Sequence, residues 1–249
     1  ISRFVTESCR FSFMHMEYVI CFYRPENRFP SRIFGGVCRS IGDPQKCSEV
    51  TFAYLHLEDQ PGPLPSNLNE SHWSYADDHD LRELSRFCQH ESGGLMLGAL
   101  NLEPGDIEHS NLEDEFAGLG LKRERQLFAL RANRRLQAVA MVNLADIGLN
   151  LSDLTNSITL FVIDQNELSK EVLTDALSLL MKRQNQRELP ILIFPEAAAR
   201  NLKMPFEKRY VMWCLNPHHS DCYNRSLDVL FRAVRRNGGP NDNRRSPPL

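Results

Sequence analysis

The chain has 249 residues, enough for one large domain or two modest ones. Hydrophobic residues make up 42% and charged residues 24%, close to globular averages, so a core of ordinary size can be buried. The formal net charge of −3 argues against a surface built for DNA or for anionic lipid.

No run approaches the roughly 20 apolar residues of a transmembrane span. The apolar run Tyr18–Tyr23 is too short, and the N-terminus lacks the basic-then-apolar layout of a signal peptide. A cytoplasmic location is therefore expected. The chain opens on Ile1 within what reads as folded sequence, as a piece of a longer protein would, so other domains of that chain are expected partners. Cysteines stand at Cys9, Cys21, Cys38, Cys47, Cys88, Cys214 and Cys222, an odd number without C-x-x-C or Cys/His ligand spacing. Reduced core thiols and no metal are expected. Three Asn-x-Ser patterns, at Asn69, Asn150 and Asn224, carry no weight without a secretory signal.

Taken in chain order, Phe11–Tyr23, Arg32–Ser40 and Val50–Leu57 read as strands, and Pro25 and Pro30 break the chain between the first two. Glu58–Trp73, with three prolines, reads as a linker. Asp77 or Asp78 can cap a helix to about Glu91, which Ser92-Gly93-Gly94 ends. Leu95–Leu102 reads as a short buried strand and Leu112–Leu121 as a helix. Gln126–Arg131 and Arg134–Asn143 form a hairpin turning at Ala132-Asn133. Ser157–Ile163, apolar on both faces, reads as a central strand. Asp164 or Asn166 caps a helix over Glu167–Gln186, followed by strand Ile191–Phe194, helix Glu196–Leu202 and strand Tyr210–Leu215. Leu227–Val234 could close the fold as a helix, and the polar tail reads as disordered. The fold class is α/β, a mixed central sheet flanked by helices with an additional N-terminal β-rich segment. The expected division is 1–57 as that segment, 58–75 as linker, 76–235 as the α/β domain and 236–249 as tail.

From residue 126 the order is strand, strand, strand, helix, strand, helix, strand. With Leu127-Phe-Ala-Leu-Arg131, Ala138-Val-Ala-Met-Val-Asn143 and Asp153-Leu-Thr-Asn156, this resembles the GNAT acyltransferase superfamily. The texture is nearest its Fem-like and lysyl-phosphatidylglycerol synthase aminoacyl-transferring branches, over about residues 76–235. The resemblance implies a first, tandem lobe in residues 1–57. It also implies a small-molecule or aminoacyl donor lodged where Arg134–Asn143 and Ser157–Ile163 part after Asn143. The family's glycine-containing pyrophosphate loop is missing. Ile163-Asp-Gln-Asn-Glu-Leu-Ser169 has no glycine, and Asp164 and Glu167 repel phosphate, so acyl-CoA is only weakly implied.

Candidate site residues follow. Asn150, Ser152, Asp153 and Thr155, flanked by Asn143 and Asn156, offer polar groups between two central strands. A buried Asp153 could bind an amine or act as base. The same residue types also serve any tight connection. Arg123 and Arg125, in a cluster with Lys122, Arg131, Arg134 and Arg135, could hold donor phosphates, or simply face solvent. The resemblance implies Tyr210 as the group that protonates a leaving thiolate. His219, Asp221 and Cys222 could share a proton or supply a nucleophile. Arg24, Arg28 and Arg32 resemble half of a PilZ-type nucleotide motif whose second half does not follow, and Gly35-Gly36 reads as a turn or bulge.

Overall fold

The computed structural model describes residues 17–57, 71–105, 117–145, 154, 156–165, 168–184 and 189–219. Eight strands form one sheet: β1 (Val19–Tyr23), β2 (Cys47–Leu55), β3 (Ser71–Tyr75), β4 (Arg123–Ala132), β5 (Arg135–Ala145), β6 (Ser157–Val162), β7 (Ile191–Phe194) and β8 (Lys208–Leu215). Among the described residues five α-helices flank it: α1 (Arg28–Ile41), α2 (Asp78–Ser92), α3 (Leu95–Ala99), α4 (Lys170–Arg183) and α5 (Glu196–Asn201). The fold is α/β with a mixed sheet, as expected.

Strand order is β1-β8-β2-β7-β6-β5-β4-β3. Among the described strands only β6 and β7 pair in parallel, and the other ladders are antiparallel. The expected helical crossover through α4 is what permits that parallel pair. β8 does not lie beside β7. β2 inserts between them, antiparallel to both, so residues 47–55 complete the sheet formed by the later strands. β3 occupies the end of the stretch read as a linker and pairs along the edge with β4.

The hairpin turns through Asn133 and Arg134, with φ of 49° and 64°, the paired positive values of a type I′ turn. β6 is buried along its whole length, as its two-sided apolar pattern requires. Side chains alternate between two cores. Leu160, Ile193, Ala138 and Ala53 face α4 and α5, with α1 over the β1–β8 end. Phe161, Phe194, Val139 and Phe52 face α2 and α3.

Three sequence expectations are corrected. Arg32–Ser40 is helical, and Gly35-Gly36 lies inside α1 rather than in a turn. Asn27 caps the helix by accepting from the Phe29 N–H at 3.3 Å, and Gly42 ends it at φ 66°. Pro30 is tolerated because the first-turn N–H groups have no partner within a helix. The bare Gly35 lets α1 lie close to β2, since an added Cβ would stand 3.1 Å from a Glu49 carboxylate oxygen. Leu95–Leu102 is likewise not a strand: its first five residues, Leu95–Ala99, form α3, restarted at Gly94 (φ 83°) after Gly93 ends α2 at φ 78°. Both its ends and its length are compatible with either element, and apolar periodicity alone cannot separate them. Finally, the opening expected between β5 and β6 past Asn143 is not seen among the described residues, since the Asn156 side chain bonds both backbone groups of Ala145 there. The two strands stay laddered from Ala138↔Val162 to Asn143↔Ser157.

Smaller shifts accompany these. Ser169, not Asp164 or Asn166, caps α4, accepting from the Val172 N–H at 3.2 Å. Residues 11–16 and 112–116, the expected helix over 227–234 and the tail lie outside the described residues. No described helix is long and apolar enough to cross a membrane.

Candidate functional site

On the α2/α3 face of the sheet, a cavity of about 310 Å³ opens beside the end of α3. Its floor is apolar: Phe52, Met141 and Leu192 are almost fully buried, and Phe22 joins them from β1. Leu100 and Leu154 wall it, and Ile20 stands partly exposed at its edge. The polar residues gather at one end. They are Arg123 and Arg125 from β4, Asn143 from β5, Thr159 from β6 and Asn101 just after α3.

Strand alternation explains this grouping. Arg123, Arg125, Met141, Asn143 and Thr159 all project from the same sheet face, and Arg125 stands opposite Asn143 while Met141 stands opposite Thr159. The Arg125 Nε donates to Asn143 Oδ1 at 3.3 Å, and its Nη1 donates to the Leu100 carbonyl at 2.8 Å. The guanidinium thus fixes the mouth between the hairpin and α3. The cavity is at the small end of ligand clefts, which run from about 300 to 1,000 Å³, and has their usual composition of apolar walls with a few convergent polar groups.

Three of the expected cofactor-binding residues, Arg123, Arg125 and Asn143, therefore meet in one cavity. Asn156 has another task. Its Oδ1 accepts from the Ala145 N–H at 2.5 Å and its Nδ2 donates to the Ala145 carbonyl at 3.2 Å, which staples β5 to the start of β6. Asn150, Ser152, Asp153 and Thr155 lie outside the described residues, although Leu154 lines the cavity. The basic cluster does not form one patch. Arg131 is eight strand positions from Arg123, about 26 Å along an extended chain. There it pairs with the buried Asp80 and donates to Ser74 Oγ at 2.5 Å. Lys122 pairs with Glu124 at 2.8 Å, and Arg134 and Arg135 sit exposed at the hairpin tip.

Tyr210 stands beside the cavity rather than in its lining. It lies opposite Phe52 in the β2–β8 ladder, edge-on to Tyr54 with centroids 5.4 Å apart. A polar group adjoins it that the sequence did not reveal. The Glu207 Oε1 accepts from the His56 N–H at 3.0 Å and lies 2.8 Å from its Nδ1, while Lys208 Nζ sits 4.2 Å from the Tyr54 ring centre. The His56 hydrogen bond holds the Glu207 carboxyl below its ordinary value. His56 and Glu207 are 151 positions apart, so no local spacing could have paired them.

The junction after β6 is closed upon the protein. Ile163 and Asp164 both donate their N–H groups to the Gln137 carbonyl, at 2.8 and 3.1 Å. These amides carry the β5–β6 pairing past Val162 instead of forming a phosphate cradle. The carboxylates of Asp77 and Asp80 approach His79 to within 4.8 Å, a spacing open to a cation. However, Asp77 caps α2 and Asp80 neutralises Arg131. His218 donates its N–H to Asn216 Oδ1 at 3.0 Å in a short 3₁₀ turn, and Asp221 and Cys222 lie outside the described residues. Arg24 pairs with Glu26 at 3.7 Å while Arg28 and Arg32 sit on α1, so the three do not share a loop.

No protein-family profile matches the chain, and no curated protein matches it in sequence. Among solved structures it is similar to an acetyltransferase from Salmonella typhimurium that modifies the N-terminal serine of a 50S ribosomal subunit protein. That alignment has 12% identity and a TM-score of 0.29, covering 61% of this chain and 96% of the other.

Proposed function

We propose that the cavity receives the acyl portion of a small anionic donor, and that the chain passes an acyl or aminoacyl group from it to an amine or hydroxyl acceptor. The observation that carries this reading is the pairing of an apolar floor with two guanidinium groups at one end. An acyl chain would lie against Phe52, Met141 and Leu192, and the donor's negative charge would lie toward Arg123 and Arg125. The order of strands and helices from β4 onward, which resembles the GNAT superfamily, supports the same reading. Catalysis would come mainly from holding donor and acceptor together, with Asp153 as candidate base and Tyr210 as candidate acid.

A homologous series tests the binding half. Each buried methylene contributes about 0.8 kcal/mol, or roughly a fourfold gain in affinity. Calorimetry with acyl-CoA thioesters and with free carboxylates of increasing chain length should show that increment until the cavity is full, then a plateau. An affinity independent of chain length sinks the proposal. Transfer is read separately, as thiol release in the presence of amine acceptors.

A second reading is a GNAT-shaped binding or regulatory module without turnover. It is favoured by the amides of Ile163 and Asp164, which are bonded to Gln137 where the family holds pyrophosphate. Chain-length-dependent binding without thiol release would select it.

A further inference from the structure

Cys38, in the last turn of α1, and Cys47, the first residue of β2, bring their sulfurs to 3.0 Å. The left-handed Gly42 and the following turn fold the chain back between them, with the Cys47 N–H bonded to the Asp43 carbonyl at 3.0 Å. The approach is also held from outside the turn. Phe34 of α1 packs against Trp213 with ring centres 4.8 Å apart, and Val37 joins the same core. Both cysteines line an open groove of about 580 Å³ bordered by Arg39, Glu49, His90 and Gly93, so a dissolved reagent can reach the pair.

We propose that Cys38 and Cys47 are an oxidisable dithiol, a built site of intramolecular disulfide formation that ties the end of α1 to the start of β2. Small rotations bring the sulfurs from their present separation to the bonded length of about 2.05 Å. The exposures assign the order of events, because Cys38 is half-buried while Cys47 is 3% exposed. With a dissolved disulfide such as oxidised glutathione, the Cys38 thiolate attacks one sulfur. A mixed disulfide forms and one glutathione leaves as its thiolate, taking up the proton that Cys38 lost. The Cys47 thiolate then attacks the Cys38 sulfur and expels the second glutathione in the same way. Two protein thiols become one disulfide, and one glutathione disulfide becomes two thiols.

The hydrogen bond to Cys47, then burial, hold the Cys38 thiol above its ordinary value. The thiolate is scarce at neutral pH, so the pair answers sustained oxidising conditions rather than a brief pulse. Cys88 and Cys214 are 0% exposed, so a dissolved disulfide does not reach their sulfurs. They are poorer competitors for the same oxidant.

The test uses the whole folded chain incubated with oxidised glutathione, after which remaining thiols are alkylated under denaturing conditions and peptides are mapped by mass spectrometry. The expected result is a Cys38–Cys47 cross-linked peptide that disappears on reduction. Closing a loop of this length should raise the melting temperature of the oxidised form by about 5–10 °C. The Cys47→Ser variant should instead retain glutathione on Cys38, because the resolving thiol is gone. Recovery of both cysteines as alkylated thiols overturns the proposal, as does a cross-link that forms only in urea. The wild-type peptide map decides the matter even if a serine variant fails to fold.

Discussion

Arg125 and Asn143 face each other across the β4–β5 ladder, joined by a hydrogen bond from the guanidinium Nε to the amide Oδ1 at 3.3 Å. The same guanidinium reaches the Leu100 carbonyl, so one side chain links two strands to the end of α3. Arg125→Ala should therefore do two things. It should weaken binding of an anionic acyl ligand at least tenfold, and it should lower stability by about 1–3 kcal/mol through the carbonyl left without its donor. Arg125→Lys keeps the charge but not the planar fork, and should recover part of the affinity. Calorimetry and urea unfolding on the two variants separate these effects. Unchanged ligand affinity in Arg125→Ala would remove the residue from the site.

Asp80 ties the start of α2 to the end of β4. Its carboxylate is 1% exposed, takes the Arg131 guanidinium on both oxygens, and accepts the Asp77 N–H at 2.9 Å. Asp80→Ala leaves a largely enclosed guanidinium facing the more distant, exposed Asp77 carboxylate at 3.8 Å, which should cost about 3 kcal/mol in urea unfolding. Asp80→Asn, which keeps an acceptor for the cap, should fall between that variant and the native protein. A loss below about 1 kcal/mol in Asp80→Ala would mean that Arg131 finds another partner.

Local physics and tertiary packing agree at the hairpin, at β6 and at α2. The type I′ turn needs positive φ, and Asn133 advertises it. β6 is apolar on both faces because helices cover both. α2 carries its cap and its glycine stop in plain view. At α1, tertiary contacts override the local punctuation. Gly35-Gly36 reads like a turn, yet in α1 the missing side chain of Gly35 admits Glu49 of β2. The helical spacing of Phe34, Val37, Cys38 and Ile41 was present but obscured by the glycines and by Pro30. For the site, β4 and β5 declared their register, so Arg125 and Asn143 could be placed together. The neighbours Phe22, Phe52 and Leu192 come from strands far apart in sequence, and nothing local announces that β2 enters the sheet between β7 and β8.

That insertion makes a prediction about how the chain can be divided. A fragment spanning 76–235 lacks β2, which pairs with β8 from Cys47↔Leu215 to Tyr54↔Lys208 and with β7 from Ala53↔Ile193 to Leu55↔Ile191. Without it, the inner edges of β7 and β8 lose their partners and the apolar faces of Phe52, Tyr54 and Leu55 vanish from the cores. The fragment should fail to show a cooperative urea transition. Supplying residues 1–57 as a separate chain should restore one. A fragment that folds alone, with dispersed amide resonances, would show that the later strands can close without β2.

Asp77 offers a pH-dependent test of the α2 cap. Its carboxylate accepts the His79 and Asp80 N–H groups at 2.9 and 3.0 Å. The bond from Asp80 is the leading cause that holds its pKa below the ordinary value. A lowered folded value means that the charged form is favoured by folding. The contribution is therefore complete above the unfolded value of about 4 and disappears as pH falls through the folded value. Asp77→Ala should cost about 1 kcal/mol at pH 7. Asp77→Asn keeps an acceptor but not the charge, and with the native side chain 64% exposed, solvent screening limits its cost to about a few tenths of a kcal/mol. Urea unfolding from pH 7 to pH 2 should show the native protein losing its advantage over Asp77→Asn only below about pH 4. An advantage that is flat across the whole range would mean that the cap acts through geometry alone.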